Sequence, residues 1–122
     1  MDGDFIPDGL IEPGTSILIN VLENLTTIQF NHRMTAYILL ALVLFEFVRR
    51  YRTAPGSAET KSARNLFAIV CLQAGVGIAT LLYMVPISLG ALHQVMAVIV
   101  LGFGVFHLHR LRFPIRVSNN IE

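Results

Sequence analysis

The sequence predicts an all-α fold: an integral membrane helical bundle with three transmembrane helices, over about residues 27–50, 63–84 and 87–109. Three observations carry this. Hydrophobic residues make up 54% of the 122-residue chain and charged residues only 14%, where a soluble domain carries about a quarter. Three apolar runs each approach the roughly 20 helical residues that span a hydrocarbon layer of about 30 Å. Arginines and lysines gather at the ends of these runs rather than inside them. The net charge of +1 gives no hint of nucleic-acid binding, and no basic patch interleaved with aromatics occurs. The single cysteine, Cys71, rules out an internal disulfide and a cysteine metal cluster. Its place inside an apolar run predicts a small buried hydrophobe.

Residues 1–26 read as an extracytoplasmic loop segment. Gly3, Pro7, Gly9, Pro13 and Gly14 break regular structure, and Asp2, Asp4, Asp8, Glu12 and Glu23 make the segment acidic. The acidic start lacks the basic region of a signal peptide. Ser16 can cap a short helix over residues 17–23, with Ile17, Leu18, Val21 and Leu22 on one side, as in a helix lying at a membrane interface; an irregular loop is the alternative.

The first spanning helix opens with Thr26-Thr27-Ile28-Gln29, which matches a capping box with Thr26 as the cap. Glu46, near its far end, is spaced to pair with Arg49 and Arg50. A polar loop over 51–62 turns at Pro55-Gly56-Ser57. The second helix carries an intramembrane amide and two glycines in Gln73-Ala74-Gly75-Val76-Gly77. Pro86 opens the third helix, as proline does at a first helical position. The short link makes the second and third helices antiparallel neighbours.

Charge sets the expected topology. Arg49, Arg50, Arg52, Lys61 and Arg64 flank the first loop, and Arg110, Arg112 and Arg116 follow the third helix. Both places, with the tail over 111–122, are expected on the cytoplasmic side of a bacterial inner membrane, or in the matrix of a mitochondrion. The N-terminus then lies outside with nothing to export it, and an upstream membrane helix is the simplest remedy.

The candidate site lies in the transmembrane part, residues 27–110. His32 lies about five residues into the first helix and His93 about seven beyond Pro86, which puts both roughly 8–10 Å below the same surface. Two neutral imidazoles at matching depth on different helices suit the two axial positions of one haem iron. Gly90, Ala97 and Gly104 form a smooth stripe beside His93. A flat porphyrin needs such a surface, and so does close helix packing. Arg33, beside His32, suits haem propionates at the outer side, or snorkels to the headgroups. His107 falls about 21 Å below His93 and reads as part of an interfacial cluster with Arg110 and Arg112. Gln73 and Thr80 are candidates for interhelical hydrogen bonds or for lining a haem edge. Met34, Met84 and Met96 read as packing residues. No nucleophile–base pair, phosphate loop or paired carboxylates occur, and catalytic residues stay unassigned.

At this point the residues resemble a known family. Asp2-Gly3 with Phe5-Ile6-Pro7, Glu23-Asn24, Gln29-Phe30-Asn31-His32-Arg33, Gln73 to Thr80 and Leu92-His93-Gln94 are similar to the second half of haem A synthase, over nearly the whole chain. The resemblance implies an eight-helix membrane oxidoreductase of two similar halves. Such an enzyme oxidises the methyl group of haem O to the formyl group of haem A for terminal oxidases. It further implies that His32 and His93 are the axial ligands of haem b, and that this chain corresponds to the last three helices. The substrate haem and the family's functional glutamate belong to the first half, so the chain alone is expected to be inactive. Expected partners are the lipid bilayer, the N-terminal helices of the same protein, and haem O synthase, oxidase assembly factors or a second copy. The other reading is a small bis-histidine cytochrome b that only passes electrons.

Overall fold

The computed structural model describes residues 6 and 8–113. Asp2, Gly3, Asp4, Phe5, Pro7 and the tail with Arg116 lie outside the described residues. The described chain is all-helical: α1 (Ile17–Glu23), α2 (Leu25–Thr53), α3 (Ala58–Leu82) and α4 (Ile87–Arg112). It forms two compact units, Met1–Leu39 and Leu40–Glu122.

The first unit is held by asparagines. The Asn20 side chain is 3% exposed; its Oδ1 accepts from the Glu12 amide at 2.9 Å. Its amide nitrogen donates to the carbonyls of Thr15 and Ser16, both at 3.4 Å. The Asn24 amide donates to the Gly9 carbonyl at 2.8 Å, and the Thr27 hydroxyl to the Leu10 carbonyl at 2.7 Å. The leader is therefore stitched to α1 and to the start of α2. Ser16 caps α1 as expected, accepting from the Ile19 amide. The apolar residues Ile17, Leu18, Val21 and Leu22 of α1 are all exposed.

The cap of α2 differs from expectation. Asn24 Oδ1 accepts from the amides of Thr26 and Thr27 at 3.0 and 3.4 Å, so Asn24 is the cap and Thr26 is already helical. Asparagine is among the strongest cap residues, and it moves the helix start outward. At the other end α2 runs on to Thr53, and Ser57 caps α3, so the expected loop over 51–62 shrinks to a tight turn at Ala54–Ser57.

In the second unit, α3 and α4 pack as an antiparallel pair. Three cross-helix contacts fix the register: Ser62 with His107, Gln73 with His93, and Thr80 with Leu89. Val43, Leu66 and Val70 form a small buried cluster, joined by Leu40, Phe67, Ile69 and Val100. Phe47 stacks on Phe67 with centroids 5.8 Å apart. Most other large apolar side chains on α2 to α4 are exposed, a surface that water tolerates poorly and a lipid or helical neighbour covers well. α3 and α4 are each long and apolar enough to cross a membrane. α2 is longer but carries Arg33, Glu46, Arg49, Arg50 and Arg52. Cys71 is exposed rather than buried, because it stands on the side of α3 away from Leu66 and Val70.

The α3–α4 link is strained. Met84 and Val85 adopt φ of 59° and 56°, a left-handed conformation costing about 1–2 kcal/mol per non-glycine residue. In return the amides of Tyr83, Met84 and Val85 satisfy the carbonyls of Ala79, Leu81 and Thr80 at the end of α3. Pro86 stands just outside α4 as its cap rather than as its first residue.

Candidate functional site

Gln73, Gly77 and Thr80 sit on one face of α3, spaced by four and three residues, and that face meets α4. The Gln73 amide nitrogen donates to the His93 carbonyl at 3.0 Å and lies 3.3 Å from His93 Nε2. One turn further on, the His93 imidazole lies against the bare backbone of Gly77. A Cβ at Gly77 would stand 2.8 Å from His93 Cε1 and 3.3 Å from Nδ1. The Thr80 hydroxyl donates to the Val76 carbonyl at 2.8 Å and also approaches the Leu89 carbonyl. The sequence left Gln73 and Thr80 between hydrogen bonding and lining a haem edge; both make cross-helix contacts. Gln73 Oε1 is buried and has no hydrogen-bond partner among the described residues.

The small-residue stripe of α4 is not where α3 packs. A Cβ at Gly90 or Gly104 would meet nothing within 4 Å among the described residues, and Ala97 is exposed. Close packing falls to Gly77 instead. His32 is exposed and its neighbour Arg33 half-buried, both on α2 in the first unit. His93 is half-buried in the second unit. The structure thus brings Gln73 and Gly77 to His93.

The other α4 histidine has a different setting. His107 is 6% exposed. Its Nδ1 lies 2.8 Å from the Ser62 hydroxyl, and its Nε2 lies 3.7 Å from Glu46 Oε1. Glu46 bonds Arg49 at 2.7 Å and Arg50 at 2.8 Å. The pairing of Glu46 with both arginines is as expected. The expected cluster of His107 with Arg110 and Arg112 is not formed: Arg110 lies over the Phe106 ring and His109 against Phe113. The sequence missed Ser62, whose only signal was a hydroxyl four residues into the helix. Met96 is buried in packing, as expected, and Met84 is exposed in the link. No group of three ligating side chains that could hold a bare metal ion occurs among the described residues. Two shallow surface grooves, about 300 and 480 Å³, are lined by Asn65, Ile69, Leu72 and Phe103 and by Ile99, Gly102 and Phe106, and hold no titratable side chain.

Residues 1–105 match the family described as cytochrome oxidase assembly protein. The chain belongs to this family. It is 44% identical to the haem A synthase of Chelativorans sp. strain BNC1 over 92% of the chain and 31% of that protein. It is 47% identical to the haem A synthase of Sinorhizobium medicae over 88% of the chain and 29% of that protein. With the haem A synthase of Rhizobium etli strain CFN 42 the identity is 48%, over 86% of the chain and 28% of that protein. The chain spans less than a third of the length of these relatives. No solved structure matches it. In this cytochrome oxidase assembly family member the matched stretch contains His32, Arg33, Gln73, Gly77 and His93, whereas His107 falls beyond it.

Proposed function

We propose that this chain is the haem b-binding helical part of a haem A synthase. The observation that carries the reading is the 44–48% identity to proteins of that name over most of the chain. The whole enzyme would convert the methyl group of haem O to the formyl group of haem A, with the substrate haem held outside this chain. Its oxidoreductase activity would belong to the full-length protein.

His32 and His93 are the residue types that would hold a haem. His93 offers an imidazole, the usual haem ligand, and α4 offers beside it open, bare backbone at Gly90 and Gly104. We assign His32 and His93 as the axial ligands, and Arg33 to a propionate carboxylate as a charge-assisted donor. A haem bound this way supplies a one-electron carrier. The protein's part is to hold two imidazoles in their neutral form and to keep water from the site. Three spans, α2 to α4, would cross a bacterial inner membrane with the arginine-rich ends of α2 and α4 inside. The exposed apolar faces would meet lipid and further helices of the same protein.

Two experiments test this. The purified chain, supplied with haem, should show Soret and α bands of a six-coordinate low-spin haem, and a featureless spectrum would refute the cofactor. The full-length protein should produce haem A in cells lacking their own synthase; haem O accumulating alone would refute the activity.

A further inference from the structure

We infer that the arginine-rich end of α2 to α4 is a docking surface for the phosphodiester headgroups of anionic lipids; this rests on the membrane reading of these helices and not on the haem. The charges of the second unit stand at one end only. From Leu40 to Phe113 every Lys, Arg, Asp and Glu lies within residues 46–64 or 110–112, and the carboxylates among them are Glu46 and Glu59 alone. The fold gathers these segments. His107 Nδ1 lies 2.8 Å from the Ser62 hydroxyl and its Nε2 3.7 Å from Glu46 Oε1, which sets the three helix ends at one level. At 1.5 Å per residue Arg64 lies about 3 Å to the membrane side of that level and Arg52 about 9 Å beyond it, a band that long cationic side chains reach across. Glu46 is spent on Arg49 and Arg50, at 2.7 and 2.8 Å. Arg52, Lys61, Arg64 and Arg112 are exposed, and no carboxylate pairs with them among the described residues. The helix dipole rewards Arg52 and Arg112 at C-terminal ends, but it opposes Lys61 in the first turn of α3. Arg64 follows three residues later on the same face, so an anion from outside the chain is what would compensate this pair. Tyr51 is exposed in the same band, as aromatic residues at the headgroup level are. A phosphodiester supplies a fixed negative charge and oxygens that a guanidinium binds in pairs. Its acyl chains would lie along the exposed apolar sides of α3 and α4, which a free phosphate leaves uncovered.

The test titrates phosphatidylglycerol, phosphatidylcholine or inorganic phosphate into the purified chain in a non-ionic detergent and reads its melting temperature. Phosphatidylglycerol should stabilise the wild type and saturate, while phosphatidylcholine and inorganic phosphate should not stabilise it. A cation at an anionic lipid surface is worth roughly fivefold in affinity. Replacing three together, Arg52→Gln, Lys61→Gln and Arg64→Gln, should therefore raise the half-saturating phosphatidylglycerol about a hundredfold. Without lipid that variant should melt with the wild type, since these side chains take no part in the Ser62–His107 contact. A charge-keeping swap, Arg52→Lys, Lys61→Arg and Arg64→Lys, should respond to phosphatidylglycerol as the wild type does. Should the triple glutamine variant not fold, Lys61→Gln alone must still weaken the response about fivefold, and an unchanged response there overturns the inference. The inference also falls if phosphatidylcholine stabilises equally, if inorganic phosphate alone reproduces the shift, or if the swap loses the response. A triple glutamine variant with the wild-type response would mean that the cations only orient the helices in the membrane, and would equally overturn it.

Discussion

α4 carries two histidines fourteen positions apart, and α3 treats them in opposite ways. His107 is buried and engaged by charge and hydroxyl: Ser62 holds one ring nitrogen, and the Glu46 carboxylate, itself bound to Arg49 and Arg50, faces the other. His93 is half-buried and meets the Gln73 amide and the bare backbone of Gly77. The contrast separates a histidine that ties helices together from the one that the haem reading assigns to a ligand. Buried polar groups stabilise when every partner is present and cost when one is missing. A ligand histidine instead needs an acceptor for the ring N–H that the metal leaves free.

Changes at the lower histidine should move stability and leave haem alone. His107→Ala should cost the most, about 2–3 kcal/mol, because it opens a cavity and removes the buried contact with Ser62; denaturant unfolding in micelles measures this, and an altered haem spectrum would break the contrast. Glu46→Gln should follow at about 1–2 kcal/mol, since it weakens bonds to two arginines that are partly exposed. A loss that does not shrink as salt is raised would argue against the ionic account. Ser62→Ala should cost about 1 kcal/mol by leaving His107 Nδ1 unpaired. The smallest effect lies in the link: Met84→Gly should stabilise by up to about 1 kcal/mol, because glycine accepts the left-handed φ that methionine resists. A melting temperature lowered by that change would contradict the strain at Met84.

Much of this was legible in the sequence. Apolar runs and flanking arginines located the long helices, Ser16 announced α1, and the spacing of Glu46 from Arg49 and Arg50 foretold their pairing. The misses share a physical cause. Thr26 looked like a cap because the capping-box pattern is local, yet Asn24 competes for the same amides and also reaches the Gly9 carbonyl, a tertiary bond the pattern cannot contain. His107 was grouped with Arg110 and Arg112 by proximity along the chain, whereas helical geometry turns His107 toward Ser62 and Glu46 and Arg110 over Phe106. Cys71 was placed inside because its neighbours are apolar, but in a chain whose apolar surface is largely exposed, hydrophobicity no longer distinguishes inside from outside. Gln73 was noticed as an intramembrane amide, but only the register of α3 on α4 reveals that His93 is its partner.

The most direct measurement is the absorption and EPR spectrum of the haem-loaded chain carrying His93→Ala, beside His107→Ala. Loss of the low-spin bis-histidine signature in the first and its retention in the second is the predicted result. A His93→Ala protein that keeps a low-spin haem would contradict the assignment of His93 as the ligand.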